Sequence, residues 1–443
     1  MKYKKSMFNV EVEKMADGRK LMYNSYTGMF GIMDAKTQSV FDVIEDIDMS
    51  NIDDEVKKTV NAVAMGGYII NAESDEIATV KLGRARGRMK DNVLALTIAP
   101  TMDCNMACPY CFENKNKTVM SRETQDKVVQ FAKAHLEAYP SIKHLGVSWY
   151  GGEPLLQKEA IFYISEKLAA LCDERQIVYD SSVITNGALL DAQTAKRLME
   201  CKVTSAWISV DGNREIHNKR RILKNGEDSY GIIMQNVEDC KDIIPITVRI
   251  NIDKENAEHV EEFTKHLIEE KGWTGNPGFY VAFVDDYNET CPTDKSVCVP
   301  MGQIAEMTDK YMRSMYASNR DYVAGQFFPQ RKVTFCGGEC TLTYTIDPDG
   351  DVYNCLVQVG TKEHKTGHVD YPFMITSAYA KWLTTDIHEK CEKCEYLPQC
   401  MGGCTIYRFS GDGTPQCFSS FYTYKNTLKL AYEDYIAQKA QTQ

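Results

Sequence analysis

Three cysteines, Cys104, Cys108 and Cys111, fall within eight residues of the stretch CNMACPYCFE. Eight more lie between Cys336 and Cys417. The chain opens MKYKKSMFNVEVEKM, with lysines but no apolar run behind them, which is not a secretory signal. No apolar run is long enough to span a membrane, so a cytoplasmic location with no membrane partner is expected. A cytoplasm keeps thiols reduced, so clustered cysteines read first as metal ligands. Structural zinc takes four ligands, and a [4Fe–4S] cube has four irons to satisfy. Three thiolates on a cube leave one iron open to a small molecule carrying an amine and a carboxylate. A formal net charge of -11 argues against a nucleic-acid partner, which calls for a basic field.

Other candidate residues stand where strands are expected to end. WYGGEP carries Gly151, Gly152 and Glu153, and its glycines let backbone approach a ligand closely. VITNG ends in Asn186, SVDG holds Ser209 and Asp211, HNKRR holds Arg221, and VRIN holds Arg249. A guanidinium fork suits a carboxylate, although polar residues at strand ends also serve as caps and ion pairs. The C-terminal cysteines follow a spacing: Cys340-x9-Gly350-x4-Cys355, then Cys391-x2-Cys394-x5-Cys400-x3-Cys404, and later Cys417. With Cys336 there are eight thiols, enough for two cubes. On this region alone, paired C-x2-C zinc sites are the simpler reading. Cys172, Cys201 and Cys240 are expected to be buried, inert thiols. Cys291 and Cys298 fall in a polar loop.

The elements that must position these residues follow from periodicity. Residues 1–80 read as strands with turns at Asp17-Gly18 and Thr27-Gly28, followed by two helical stretches. The basic run KLGRARGRMKDN, 81–92, reads as a linker. From 93 to 285 short apolar strands such as VLALTIAP and HLGVSWY alternate with helical stretches such as KEAIFYISEKLAALCDER. About six such units predict a parallel α/β sheet, an open or partial barrel with its active site at the carboxyl ends of the strands. A bridging region, 286–330, precedes a cysteine-rich segment, 331–425, and a helix is expected over 426–443.

C-x3-C-x2-C directly after the first strand, with Tyr110 before the last cysteine, resembles the radical S-adenosylmethionine (SAM) superfamily. The C-terminal spacing resembles the SPASM domain found in many of its members. The resemblance implies a partial (β/α)6 radical SAM barrel and three [4Fe–4S] clusters. Cys104, Cys108 and Cys111 would hold the SAM-binding cluster. Cys336, Cys340, Cys355 and Cys404 would hold one auxiliary cluster, and Cys391, Cys394, Cys400 and Cys417 the other. Gly151, Gly152, Glu153, Asn186, Ser209, Arg221 and Arg249 would bind SAM. The catalytic base is not identified. The N-terminal plan is similar to the small winged-helix-like α+β modules by which peptide maturases capture a leader as an added strand. The expected function is therefore maturation of a ribosomally made precursor peptide by hydrogen abstraction, installing a thioether or other cross-link. The expected partners are that peptide and an electron donor such as a flavodoxin or ferredoxin. An anaerobic sulfatase maturase is the alternative enzyme, and a non-catalytic iron–sulfur or zinc scaffold the alternative of another class.

Overall fold

The computed structural model describes residues 2–284, 298–318, 328–409, 413–417 and 419–441. The chain forms two compact units: 1–89 with 301–336 and 385–443, and 90–300 with 337–384. No helix among the described residues is long and apolar enough to cross a membrane.

The first unit begins with β1 (Tyr3–Lys5), β2 (Asn9–Lys14), β3 (Lys20–Asn24) and β4 (Phe30–Met33). Next come α1 (Ala35–Asp42), α2 (Asp54–Met65), β5 (Ile69–Asn71) and α3 (Glu76–Arg88). β2, β3 and β4 make an antiparallel sheet, with the expected turns at Gly18 and Gly28 in left-handed geometry. Met22 and Met33 pack with Val40, Val60, Val63 and Tyr68 of the helical layer. α3 corrects the expected linker at 81–92. Asp75 caps it by accepting from Ala78 N, and Val80, Arg84 and Arg88 form its buried stripe at i, i+4, i+8. Both arginines donate to Thr385 O, at 3.0 and 2.7 Å. Gly87 fits because any Cβ there would lie 2.9 Å from Val333. The glycines and arginines that suggested a linker are thus the packing face of a helix.

In the same unit helix Met301–Ser318 packs along the terminal helix Ser419–Gln441, which begins earlier than the expected 426. The former lies in the stretch expected only to bridge.

The second unit contains six parallel strands, as expected: β6 (Val93–Ile98), β7 (His144–Trp149), β8 (Val178–Thr185), β9 (Val203–Ser209), β10 (Ile246–Ile252) and β11 (Gly278–Phe283). Between them run α4 (Arg122–Ala138), α5 (Lys158–Arg175), α6 (Ala192–Glu200), α7 (Arg214–Arg220), α8 (Ser229–Cys240) and α9 (Val260–Glu269). Alternation assigns the faces. Leu94, Leu96 and Ile98, like Leu145, Val147 and Trp149, are buried on one face. Thr97, Ser148, Ser182 and Ser205 lie side by side on the other and stay half-buried. A seventh parallel strand, β12 (Thr343–Ile346), adds to β6 and leads antiparallel into β13 (Asp351–Tyr353) and β14 (Gly367–His368). The cysteine-rich segment expected as one domain is therefore divided. Residues 337–384 extend the sheet of the second unit, because Thr343–Ile346 is itself a β-rich run that finds the open edge of β6.

Candidate active site

The loop after β6 carries the three clustered cysteines. Cys104 is buried, and Cys108 and Cys111 are half-buried. Met106 N donates to Cys104 Sγ at 3.4 Å, and Asn186 Nδ2 approaches the same sulfur at 3.9 Å. The Lys115 ammonium donates to Met106 O at 3.3 Å; burial opposes its charge, and the three thiols outweigh burial and raise it. Burial pushes the Cys104 thiol up to about 11 and raises Cys111 as well. Such thiols become thiolates only with a cation or metal present. Among the described residues no three His, Cys, Asp or Glu side chains close on a point that one metal ion could fill. Three closely spaced thiols are soft donors of the kind an iron–sulfur cluster takes. The donor set fits a three-thiolate iron–sulfur cluster.

The end of β7 presses directly on this loop. Gly151 has φ 123°, and a Cβ there would lie 2.3 Å from Thr101 O. At Gly152 it would lie 2.2 Å from Asp103 O. Gly152 N donates to Thr101 O at 3.2 Å and Glu153 N to Asp103 O at 2.7 Å. The glycines permit this close approach. The Glu153 side chain, fully buried, accepts from Leu155 N at 3.0 Å, Thr185 Oγ1 at 2.7 Å and Asn186 N at 2.7 Å. Its carboxylate is committed to the protein. It also fixes Asn186, whose Nδ2 donates to Asn105 Oδ1 at 2.7 Å.

Ser209, Arg249 and Tyr280 stand side by side across β9, β10 and β11. Arg249 is half-buried, its side chain is hydrogen-bonded to Tyr280, and its Nε has no hydrogen-bond partner. Arg221 is engaged elsewhere. Its Nη1 donates to Tyr110 Oη at 2.6 Å, and the Tyr110 hydroxyl in turn donates to Asp211 Oδ2. Asn251 Nδ2 donates to Asp211 Oδ1 at 3.1 Å, and Arg220 reaches Asp253 at 2.6 Å. Burial would raise the Asp211 carboxyl, but Arg221 and Arg220 outweigh it and hold it below the usual range. His217 Nδ1 accepts from Asp211 N at 3.3 Å, and burial drives that imidazole down to about 3, so it is neutral. Arg221, expected as a SAM contact, is joined through Nη1 to this network, while its Nε is without a hydrogen-bond partner.

Glu113 and Tyr150 were not singled out from sequence. The Tyr150 hydroxyl donates to the Glu113 carboxylate, which burial pushes up to about 7 against the opposing effects of Tyr150 and Lys115. Tyr150 is acted on by both Cys111 and Arg249, which places the pair amid the candidate residues. Only the charged ENK after Cys111 and the tyrosine before Gly151 hinted at it.

The remaining cysteines fall as follows. In the first unit Cys391 opens a short 3-10 turn, and Met401, Gly402 and Gly403 are three successive left-handed residues that turn the chain between Cys400 and Cys404. Burial pushes the Cys391 thiol up to about 11, with Cys400, Cys394 and Cys417 adding to the rise. Those four are therefore electrostatic neighbours, the expected second auxiliary set. In the second unit Cys340 follows the turn Gly337–Glu339. Cys355 precedes a turn whose Val359 packs on Met102 of the cluster loop. Cys336 is exposed and Cys404 half-buried. Cys172, Cys201 and Cys240 are buried, and Cys298 is half-buried. Cys291 lies outside the described residues.

Residues 98–267 match the family model of the radical SAM superfamily. A cysteine-type anaerobic sulfatase-maturating enzyme of Clostridium perfringens is 24% identical over 383 residues, spanning 75% of this chain and 96% of its own length. Among solved structures, anSMEcpe with bound AdoMet and Cp18Cys peptide superposes with a TM-score of 0.60 at 23% identity, covering 79% of this chain and 100% of its own. Streptococcus suis SuiB bound to precursor peptide SuiA gives 0.53 at 15% identity, covering 94% and 98%. The chain is an enzyme with a radical SAM domain over residues 98–267, and it is similar to anaerobic sulfatase-maturating enzymes in sequence and to anSMEcpe and SuiB in fold.

Proposed function

We propose that this radical SAM enzyme is a maturase of a ribosomally made precursor peptide, acting in the cytoplasm and installing a thioether or other cross-link. A cluster and SAM, when bound, supply a 5′-deoxyadenosyl radical able to take a hydrogen atom from the peptide. Cys104, Cys108 and Cys111 would hold the cluster. The Gly151–Gly152 backbone would meet the amine of SAM, Arg249 beside Ser209 its carboxylate, and Asn186 would line the site next to Cys104. Glu153 positions Asn186 rather than touching the ligand. Cys391, Cys394, Cys400 and Cys417 would hold an auxiliary cluster, supported by their electrostatic proximity. Cys336, Cys340, Cys355 and Cys404 would hold the other, supported by their spacing. The reductant would be a flavodoxin or ferredoxin.

The observation that carries the peptide reading is the N-terminal sheet. Among the described residues β4 pairs only with β3, so its outer edge is open to an added strand. Beside it lies an apolar cavity of about 430 Å³ whose lining includes Met22, Met29, Met33, Met65 and Tyr68. Methionines suit an adaptable peptide pocket. The SuiB structure, solved with its precursor peptide, matches over 94% of this chain, against 79% for anSMEcpe. The sulfatase-maturase reading has support of its own in the 96% of the Clostridium perfringens enzyme that aligns.

Mass spectrometry separates the two. The reconstituted enzyme, SAM and reductant would be incubated with the short peptide encoded beside the gene, and with a peptide bearing a sulfatase motif. Loss of two hydrogens from the former, with protection of its thiols against alkylation, is expected. Conversion of only the latter to formylglycine would overturn the proposal. Met29→Glu and Met65→Glu, at exposed pocket positions, are expected to weaken precursor binding in a fluorescence titration without changing SAM cleavage.

A further inference from the structure

We propose that Arg221 and Tyr110 form a positioning pair that fixes the cysteine loop and places a permanent positive charge beside Cys108, easing one-electron reduction of the cluster held there. The inference rests on the reading of Cys104, Cys108 and Cys111 as cluster ligands. The segment after α7 crosses the cysteine loop as a strap. Ala107 N donates to Ile222 O at 2.8 Å, Lys224 N donates to Asn105 O at 2.9 Å, and Met106 and Leu223 form an isolated bridge. Arg221 stands at the root of that strap, 8% exposed, with Nη1 2.6 Å from the hydroxyl of Tyr110. Tyr110 is itself the residue before Cys111. Its ring lies under Arg220, whose guanidinium carbon is 4.8 Å from the ring centroid. Its hydroxyl is shared among Arg221, Asp211 and Asn251.

Three carboxylates, Asp211, Asp253 and Glu255, face the two arginines, and all three gather on Arg220. Arg220 is bound to Asp253 at 2.6 Å and reaches Asp211 at 3.5 Å. Arg221 is the member next to Cys108 in the strap: Ile222, which follows it, accepts at 2.8 Å from Ala107 N, the residue before Cys108, and Cys108 is one of the groups that raise its guanidinium. A guanidinium does not lose its proton in a protein, so its charge does not depend on the state of the cluster. Reduction adds one electron, from an external flavodoxin- or ferredoxin-type donor, to a site already bearing three thiolates. The product is more negative, and a buried cation stabilises it more than it stabilises the oxidised form. Tyr110 holds the cation in place and ties the loop to the ends of β9 and β10, so it acts through Arg221.

The test is a redox titration of the reconstituted full-length protein. It follows the paramagnetic signal of the reduced cluster that changes on adding SAM, with iron content measured on each sample. Arg221→Gln is expected to lower the reduced fraction about tenfold at a fixed potential, a shift of about 59 mV for one electron. Arg221→Lys should recover most of it, since the charge returns without the fork. Tyr110→Phe, which keeps the ring and the cation but frees both partners, should shift in the same direction by a smaller factor. An unchanged midpoint in Arg221→Gln with full iron content would overturn the proposal. If Arg221→Gln takes up no iron, Tyr110→Phe decides: a shift supports the pair, and a wild-type midpoint overturns it. Absence of a SAM-responsive signal in the wild type would overturn the cluster reading and the proposal with it.

Discussion

Glu153→Gln changes one heavy atom and should disrupt the whole strand end. The wild-type carboxylate offers two oxygens to three donors, with Oε1 receiving Leu155 N and Thr185 Oγ1 and Oε2 receiving Asn186 N at 2.7 Å. A glutamine can keep the first pair with its carbonyl oxygen. Its NH2 then points at the Asn186 N–H, donor against donor. The lost charge-assisted bond is worth about 1.5–3 kcal/mol, and the buried unpaired donors add about 1–3 more. The fully buried position gives water no way to relieve the clash. About 3 kcal/mol of lost stability corresponds to a fall in Tm of about 6–12 °C for a unit of this size. Asn186 carries the displacement to Cys104 and Asn105, so SAM affinity should drop as well. Thermal unfolding by circular dichroism, iron analysis and SAM binding on one preparation check both consequences. A variant melting within about 2 °C of wild type with full iron and unchanged SAM affinity would refute the donor-count argument.

Gly152→Ala places a Cβ 2.2 Å from Asp103 O, so the cysteine loop must shift; iron content after reconstitution is expected to fall to less than half, against no change for Gly275→Ala, whose added Cβ meets nothing. Arg249→Ala should weaken SAM binding by about tenfold or more, measured by equilibrium dialysis, while leaving iron content unchanged, because a charge-assisted contact is worth about 1.5–3 kcal/mol. His217, driven down to about 3 by burial, is depressed below its ordinary value in the folded state. The unfolded chain therefore binds the extra proton between about pH 6.5 and 3, and stability is lost as pH falls through that window at about 1.4 kcal/mol per unit. Unfolding at pH 7 and pH 5 should differ by about 2 kcal/mol less in His217→Asn than in wild type, and equal differences would count against it.

The parallel strands were legible because each is a short apolar run with small polar residues at alternate positions, as in Val93–Ile98 and His144–Trp149. Cys104, Cys108, Cys111 and Gly151–Glu153 were legible as candidates from their spacing and their place after strands, and the structure packs the two stretches against each other. The tie of Arg221 to Tyr110, and through it to Asp211, was not legible because sequence does not reveal contacts about 100 residues apart. α3 was missed because its buried stripe is built of arginines, whose composition says linker while their carbonyl partner at Thr385 lies about 300 residues away. β12 was missed for a related reason: a four-residue strand declares no partner, and the edge it joins is fixed by topology. Glu113 and Tyr150 are ordinary residues until burial brings them together.

The pairing of β12 with β6 has a consequence for synthesis on the ribosome. Ile98 and its neighbours are made early, yet the strand that covers their outer edge ends at Ile346. At about 5–20 residues per second, roughly 12–50 s of translation separate the two. Over that interval the first strand of the parallel sheet is an unprotected edge, open to strand exchange with another nascent chain. The cysteine loop borders the same edge. Slowing translation before residue 343 should thus increase insoluble product, and a chaperone that masks strand edges should reverse it.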